Sequence, residues 1–232
     1  MTEQAEVPPA PLDYPVRFDV EAWTEGRNRL TVLFRYILGI PHLLLVGGPE
    51  PFTVVFSILS AAEVIDVPAF VTLPTGVLGL AALAVAVISW FAIVFTGRQP
   101  RGLWDFQKFY VRWLANATGY LALLRDEYPP FGAGDEAYPV RFDAGPFPEQ
   151  RSRLSVGFRL ILAIPHGIIL AILSIAWWMT VIFAWVAILV TGRYPRGLYE
   201  FGVGYWRWSI RVQAYTLLMR DEYPPFGFGA RA

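Results

Sequence analysis

Cysteine is absent from the 232 residues, which excludes disulfides, thiolate metal ligands and cysteine nucleophiles. Histidine is nearly absent: His42 and His166 stand far apart in sequence and leave little scope for a zinc site. Charge is scarce as well. Charged residues make up 16% of the chain against 55% hydrophobic, too apolar for an ordinary soluble domain and pointing to a membrane. The formal net charge is zero, so nothing implies affinity for nucleic acid. The opening "MTEQAEVPPAPLDYPVRFD" has no basic stretch leading into an apolar one and does not read as a cleaved signal peptide. Residues 1–13 read as a disordered tail. No nucleophile elbow, phosphate-binding glycine loop or paired-carboxylate site occurs, so neither catalysis nor a cofactor or metal is expected.

What the chain does contain, it contains twice. "YPVRFD" occurs at Tyr14–Asp19 and Tyr138–Asp143, and "RNRL" (Arg27–Leu30) is answered by "RSRL" (Arg151–Leu154). "FRYILGIPH" from Phe34 returns as "FRLILAIPH" from Phe158. "TGRQPRGLWDF" (Thr96–Phe106) returns as "TGRYPRGLYEF" (Thr191–Phe201), and "RDEYPPF" closes both halves, at Arg125 and Arg220. The first half carries about 29 additional residues, roughly 47–76. Only "GAGDEA" separates the halves, 14–131 and 138–227, so the chain is a tandem duplication.

These shared words resemble a prokaryotic membrane-protein family, domain of unknown function 4389 (DUF4389). The resemblance runs over both halves and implies an integral membrane protein, with no established activity, cofactor or catalytic residue. The first half departs from the family pattern through its insertion and through Gln99, where tyrosine is usual.

Span arithmetic suggests a fold. The apolar stretch Leu154–Thr191 would be ~57 Å long as a helix, too long for one crossing of a ~30 Å core and sufficient for two. A hairpin turning near Ser174–Trp178 is expected, with Trp177 and Trp178 in an interfacial belt. All 19 Lys and Arg lie outside Tyr36–Gly97 and Leu160–Gly192. Hairpins place every basic residue on one side, as the positive-inside rule expects of the cytoplasm, whereas one span per half would not. The expectation is an all-α integral membrane protein of the cytoplasmic (inner) membrane. It has two tandem helical-hairpin repeats, four transmembrane helices and both termini cytoplasmic.

After each hairpin the period changes. Arg101, Asp105, Lys108, Arg112 and Asn116 recur at steps of three or four, with Leu103, Phe106, Tyr110 and Trp113 on the other face. That is an amphipathic helix, suited to the plane of the inner leaflet or to packing against the spans. The second half repeats it with Arg196, Glu200, Arg207 and Arg211. "YPVRFDV" and "EYPPF" read as short extended segments on the cytoplasmic side.

Two sets of residues are candidate sites. Arg35 and Arg159 lie one to two turns into their spans, where a charge contacts anionic lipid or snorkels to the headgroups. Arg98, Arg101, Arg193 and Arg196 sit at the spans' exits, where Arg112 or Arg207 would complete an anionic headgroup site. His42 and His166 follow Arg35 and Arg159 by two helical turns, with Gly39 and Ala163 between. They form a polar stripe for the seam between hairpins, or a histidine bonded to a carbonyl freed by Pro41 or Pro165. The sequence supports a non-enzymatic scaffold or accessory protein contacting anionic lipid, with another membrane protein or a second copy as further partners. A transporter using the Arg–His stripe and a membrane-shaping hairpin protein are the alternatives.

Overall fold

The computed structural model describes residues 14–47, 76–132 and 138–229. The tail 1–13 and the insertion, apart from its two ends, lie outside the described residues. The first half forms strand β1 (Arg17–Val20) and helices α1 (Arg29–Leu33), α2 (Arg35–Val46), α3 (Gly76–Thr96) and α4 (Arg101–Leu121). The second forms β2 (Val140–Asp143), α5 (Arg153–Gly157), α6 (Arg159–Thr191) and α7 (Arg196–Thr216). Asn28 and Ser152 start the short helices as N-caps, their side chains accepting backbone N–H bonds.

The expected hairpin of the second half is not formed. Residues Arg159–Thr191 make one unbroken helix of 33 residues, ~50 Å long, that runs straight through Ser174–Trp178. From Ala171 to Thr191 the sequence has neither glycine nor proline, so nothing local breaks the helix. Trp177 is buried against Tyr205 and Trp206 instead of standing in an interfacial belt.

The first half builds the same rod in two pieces. Helix α2 has 12 residues and α3 has 21, together as many as α6. By the repeat register Val46 and Gly76 match Leu170 and Ala171, which are neighbours in the second half. The two pieces follow each other along α4: Gly39 faces Leu121, His42 meets Trp113 and Tyr110 reaches the Val46 carbonyl, while Ser89 farther on joins Gln107 through Gln99. At the junction a Cβ on Gly76 would lie 2.4 Å from the Gly47 nitrogen. Both glycines have positive φ, 81° and 61°, so the insertion leaves and re-enters through backbone that only glycine adopts readily. Of the four spans expected, the described residues contain two helices long and apolar enough to cross a bilayer, α3 and α6.

The extended segments pair. β1 and β2 are antiparallel, with Arg17 opposite Asp143, Phe18 opposite Phe142 and Asp19 opposite Arg141. Phe18 and Phe142 occupy the same place in the two halves, so the register is self-complementary about an approximate two-fold axis at this pair. The halves interlock around that axis. Helix α4 packs on β2, and α7 packs on β1. Helix α1 packs on α6, where the Trp185 indole donates to the Val32 carbonyl at 3.2 Å. Helix α5 packs on α3, where Trp90 donates to Val156 at 3.0 Å.

The result is layered. The strands bury Phe18 and Phe142 and expose Arg17, Asp19, Arg141 and Asp143. Behind them α4 and α7 form the core, and every residue of α4 from Trp113 to Leu121 is buried. A helix lying free in the leaflet plane is therefore not what α4 is: the expected polar face survives at Arg101 and Asp105, whereas Asn116 is buried. Outermost lie α2, α3 and α6, whose outer faces expose Ile37, Leu83, Phe91, Ile172 and Phe183.

Candidate functional site

Each half holds one carboxylate clamped by two arginines. Asp126 follows the turn that ends α4, where Leu123 adopts φ 62°. Arg27 grips it with two bonds, Nε to Oδ2 at 2.9 Å and Nη2 to Oδ1 at 2.6 Å, and the Asn28 N–H donates to Oδ2 at 2.9 Å. Arg35 adds a third cationic donor from the first turn of α2. Its other donor serves the carbonyls of Tyr120 (3.0 Å) and Arg125, and the guanidinium lies 4.2 Å from the centre of the Tyr120 ring.

The second half repeats this atom for atom. Arg151 grips Asp221 at 3.1 and 2.8 Å, and the Ser152 N–H donates at 2.7 Å. Arg159 donates to Asp221 at 2.7 Å, to the carbonyls of Tyr215 and Arg220, and stacks 3.9 Å from the Tyr215 ring. Burial opposes ionisation of Asp126, yet the Arg27 bonds and charge, the Asn28 N–H and the Arg35 charge outweigh it and hold its pKa at about 2. Asp221 is lowered against the same burial by Arg151, Ser152 and Arg159. Arg35 and Arg159 are 0% and 1% exposed, so the lipid contact or snorkelling expected of them is replaced by an internal ion pair that ties the long helix to the end of α4 or α7.

The histidines also work inside each half. Trp113 donates its indole N–H to His42 Nδ1 at 3.0 Å, and Trp208 does the same to His166. With Nδ1 accepting, the neutral ring carries its proton on Nε2. The closing "YPPF" segment covers the ring: Phe131 stacks on His42 at 4.6 Å and Phe226 on His166 at 4.0 Å. Tyr128 and Tyr223 donate to the carbonyls of Leu38 and Leu162, three residues before each proline. The carbonyls that Pro41 and Pro165 free are those of Ile37 and Ile161, four residues back, and the histidines expected to serve them are paired with tryptophan instead. Gly39 lets Leu121 of α4 approach, its Cβ position lying 2.4 Å from the Leu121 Cδ2. In the first half the Arg–small–His stripe therefore faces that half's own α4 rather than the seam between halves.

At the far ends of the long helices the halves meet again. Gly97 and Gly192, with φ 74° and 71°, turn the chain out of α3 and α6. The "RxR" segment of the opposite half holds each turn: Arg27 N–H donates to Gly192 at 3.0 Å and Arg151 N–H to Gly97 at 3.2 Å. This seats the Arg29 guanidinium 3.5 Å from the Cβ position of Gly192, beside Arg193, and that of Arg153 3.2 Å from the one of Gly97, beside Arg98. Arg29, Arg98, Arg153 and Arg193 are exposed and have no carboxylate partner among the described residues. Exposed Leu30, Phe95, Leu154 and Val190 border them.

The remaining candidates separate. Arg101 is exposed on α4, and Arg196 pairs with Glu200 at 3.0 Å on the surface. Arg112 is half-buried. Arg207 is committed to the strand layer, donating to the carbonyls of Phe18 and Phe228 and to Asp19, so it does not join Arg193. Sequence reasoning missed Arg29 and Arg153, although the duplicated "RNRL" and "RSRL" marked both. The departure at Gln99 also has a structural meaning. Its amide links Arg151 to Ser89 and Gln107, at 3.1 Å each, while the second half has Tyr194, Ala184 and Gly202 at the three matching places.

Among the described residues no group of His, Asp and Glu is placed to hold a metal. A family model described as "Domain of unknown function (DUF4389)" matches the chain twice, over residues 69–133 and 153–227. The first match begins inside the insertion and so leaves out β1, α1 and α2, which carry the shared words of the first half. No curated protein and no solved structure matches the chain.

Proposed function

From the premise that the chain belongs to the family Domain of unknown function (DUF4389), whose description assigns no activity, we propose that it is a non-enzymatic membrane scaffold that contacts anionic lipid headgroups through two cross-half arginine pairs. The carrying observation is that the exposed Arg29 and Arg153 guanidiniums lie against Gly192 and Gly97 of the opposite half, the chain neighbours of exposed Arg193 and Arg98, with exposed apolar side chains around them. Cations in that setting face phosphate when the apolar surface lies in lipid.

The layering supports an orientation. The two long rods run antiparallel, the start of each packed on the end of the other. With the two-fold axis along the membrane normal they lie along the leaflet, and the charged strands face the aqueous phase. An axis in the membrane plane would carry Arg17, Asp19, Arg141 and Asp143 to mid-depth, where exposed charge is expensive.

The test is native mass spectrometry of the full chain from nanodiscs of mixed phosphatidylglycerol and phosphatidylcholine. Retained phosphatidylglycerol is expected to fall about tenfold when Arg29, Arg98, Arg153 and Arg193 are all changed to Gln, with the melting temperature kept. Unchanged enrichment in that folded variant would rule out the arginine contact.

A further inference from the structure

A cleft of about 370 Å³ opens between the halves, where α3 and α6 pass over α4 and α7. Its volume lies within the ~300–1,000 Å³ common to ligand pockets. No charged side chain lines it. Its rim is exposed and apolar: Leu83 on α3, and Gly167 and Ala171 on α6, belong to the same outer surface as Val87, Ile168 and Ile172. Whatever covers that surface has direct access to the cleft.

The duplication supplies an internal control on its walls. Helix α7 contributes Ser209, Gln213 and Thr216, spaced to share one face. The matching residues of α4 are Leu114, Thr118 and Leu121, so the second half has gained polar groups where the first is mainly apolar. Two polar atoms of wall residues are buried without a hydrogen-bond partner among the described residues: Ser209 Oγ and the Nε1 of Trp206, a residue only 6% exposed. Buried donors left unpaired are rare and ask for an acceptor.

The geometry points to a binding site for one acyl chain bearing an uncharged ester. The chain lies along the apolar wall that includes Leu83 and Leu114, and the ester carbonyl accepts hydrogen bonds from the α7 side. A charged headgroup finds no counterion in the lining, and a bare hydrocarbon leaves the α7 donors without an acceptor. The ester has two sources, a chain of a bilayer phospholipid or a neutral glyceride.

This inference rests on membrane residence, as proposed above, but not on the arginine pairs. The full chain is reconstituted in nanodiscs with a diazirine-bearing phosphatidylcholine or a diazirine-bearing diacylglycerol, irradiated, and mapped by peptide mass spectrometry. Label is expected in the α6 stretch 167–174 and the α7 stretch 209–217. A Cβ at Gly167 meets nothing within 4 Å, so Gly167→Leu folds and narrows the mouth, and labelling falls about tenfold. Ser209→Leu/Gln213→Leu, which restores the apolar character of the first half, removes the preference for an ester over an alkane probe. Labelling by either lipid supports the site, and the preferred one names the source. The variant lacking Arg29, Arg98, Arg153 and Arg193 keeps the cleft label, so failure of the headgroup contact and failure of the cleft are read separately. Label spread evenly along α6 and unchanged by both cleft variants overturns the site.

Discussion

Asp126 and Asp221 each face two guanidiniums from residues 60 to 100 positions away in sequence, and each guanidinium is nearly sealed from solvent. Asp126→Asn leaves Arg27 and Arg35 without their counter-charge, which is expected to destabilise the fold by ~3–5 kcal/mol, read as a lower melting temperature in detergent. The same pairs set an acid limit. A carboxyl whose folded pKa is about 2, below its ordinary value near 3.8, contributes its stability above pH ~4 and loses it as pH falls towards 2. Melting temperature is therefore expected to be flat through neutral pH and to drop between pH ~4 and ~2, by an amount matching about 1–2 kcal/mol for the Asp126 clamp, with the Asp221 clamp adding in the same direction. The sequence pointed to Arg35 and Arg159 as unusual, because a charge in an apolar run needs a reason. Their acceptors were not legible: Asp126 and Asp221 sit in a polar "RDEYPPF" run that reads equally well as solvated, and only the turn at Leu123 or Leu218 aims them inward.

At the scale of the element, the length and apolarity of α6 were plain from the residues, but its path was not. Bilayer thickness suggested a turn, and no glycine, proline or asparagine was there to make one. The absence of cysteine makes the path easy to measure, since introduced cysteines are the sole labelling sites. Spin labels at Ile161 and Val186, both exposed, are expected ~37 Å apart on one helix, and a hairpin turning near Ser174 would bring them within about 15 Å. The amphipathic helices show the converse limit. Periodicity found α4 and α7 correctly, yet period alone does not say whether an apolar face meets lipid or protein. Gly119 of α4 decides it for the first half: a methyl there would lie 2.5 Å from Val140 Cγ2 on β2. Gly119→Ala is expected to destabilise the chain by ~1–3 kcal/mol, measured by denaturant or thermal unfolding.

For the whole molecule, the duplication was readable from repeated words, but the exchange between halves was not. Each half could in principle pack on itself with the same residues, and what selects exchange is the register of β1 on β2, set over a separation of more than 100 residues. A chain cut within "GAGDEA" is therefore expected to yield two fragments that co-purify when expressed together and are each unstable when expressed alone. The self-complementary pairing at Phe18 and Phe142 has a further consequence for assembly by mass action. A single unit of this design would have to find its twin by diffusion in the bilayer, and its closure would vary with its abundance. Joined by a six-residue tether, the second unit is always present at an effective concentration on the order of millimolar, so the finished architecture is independent of how much protein the cell makes.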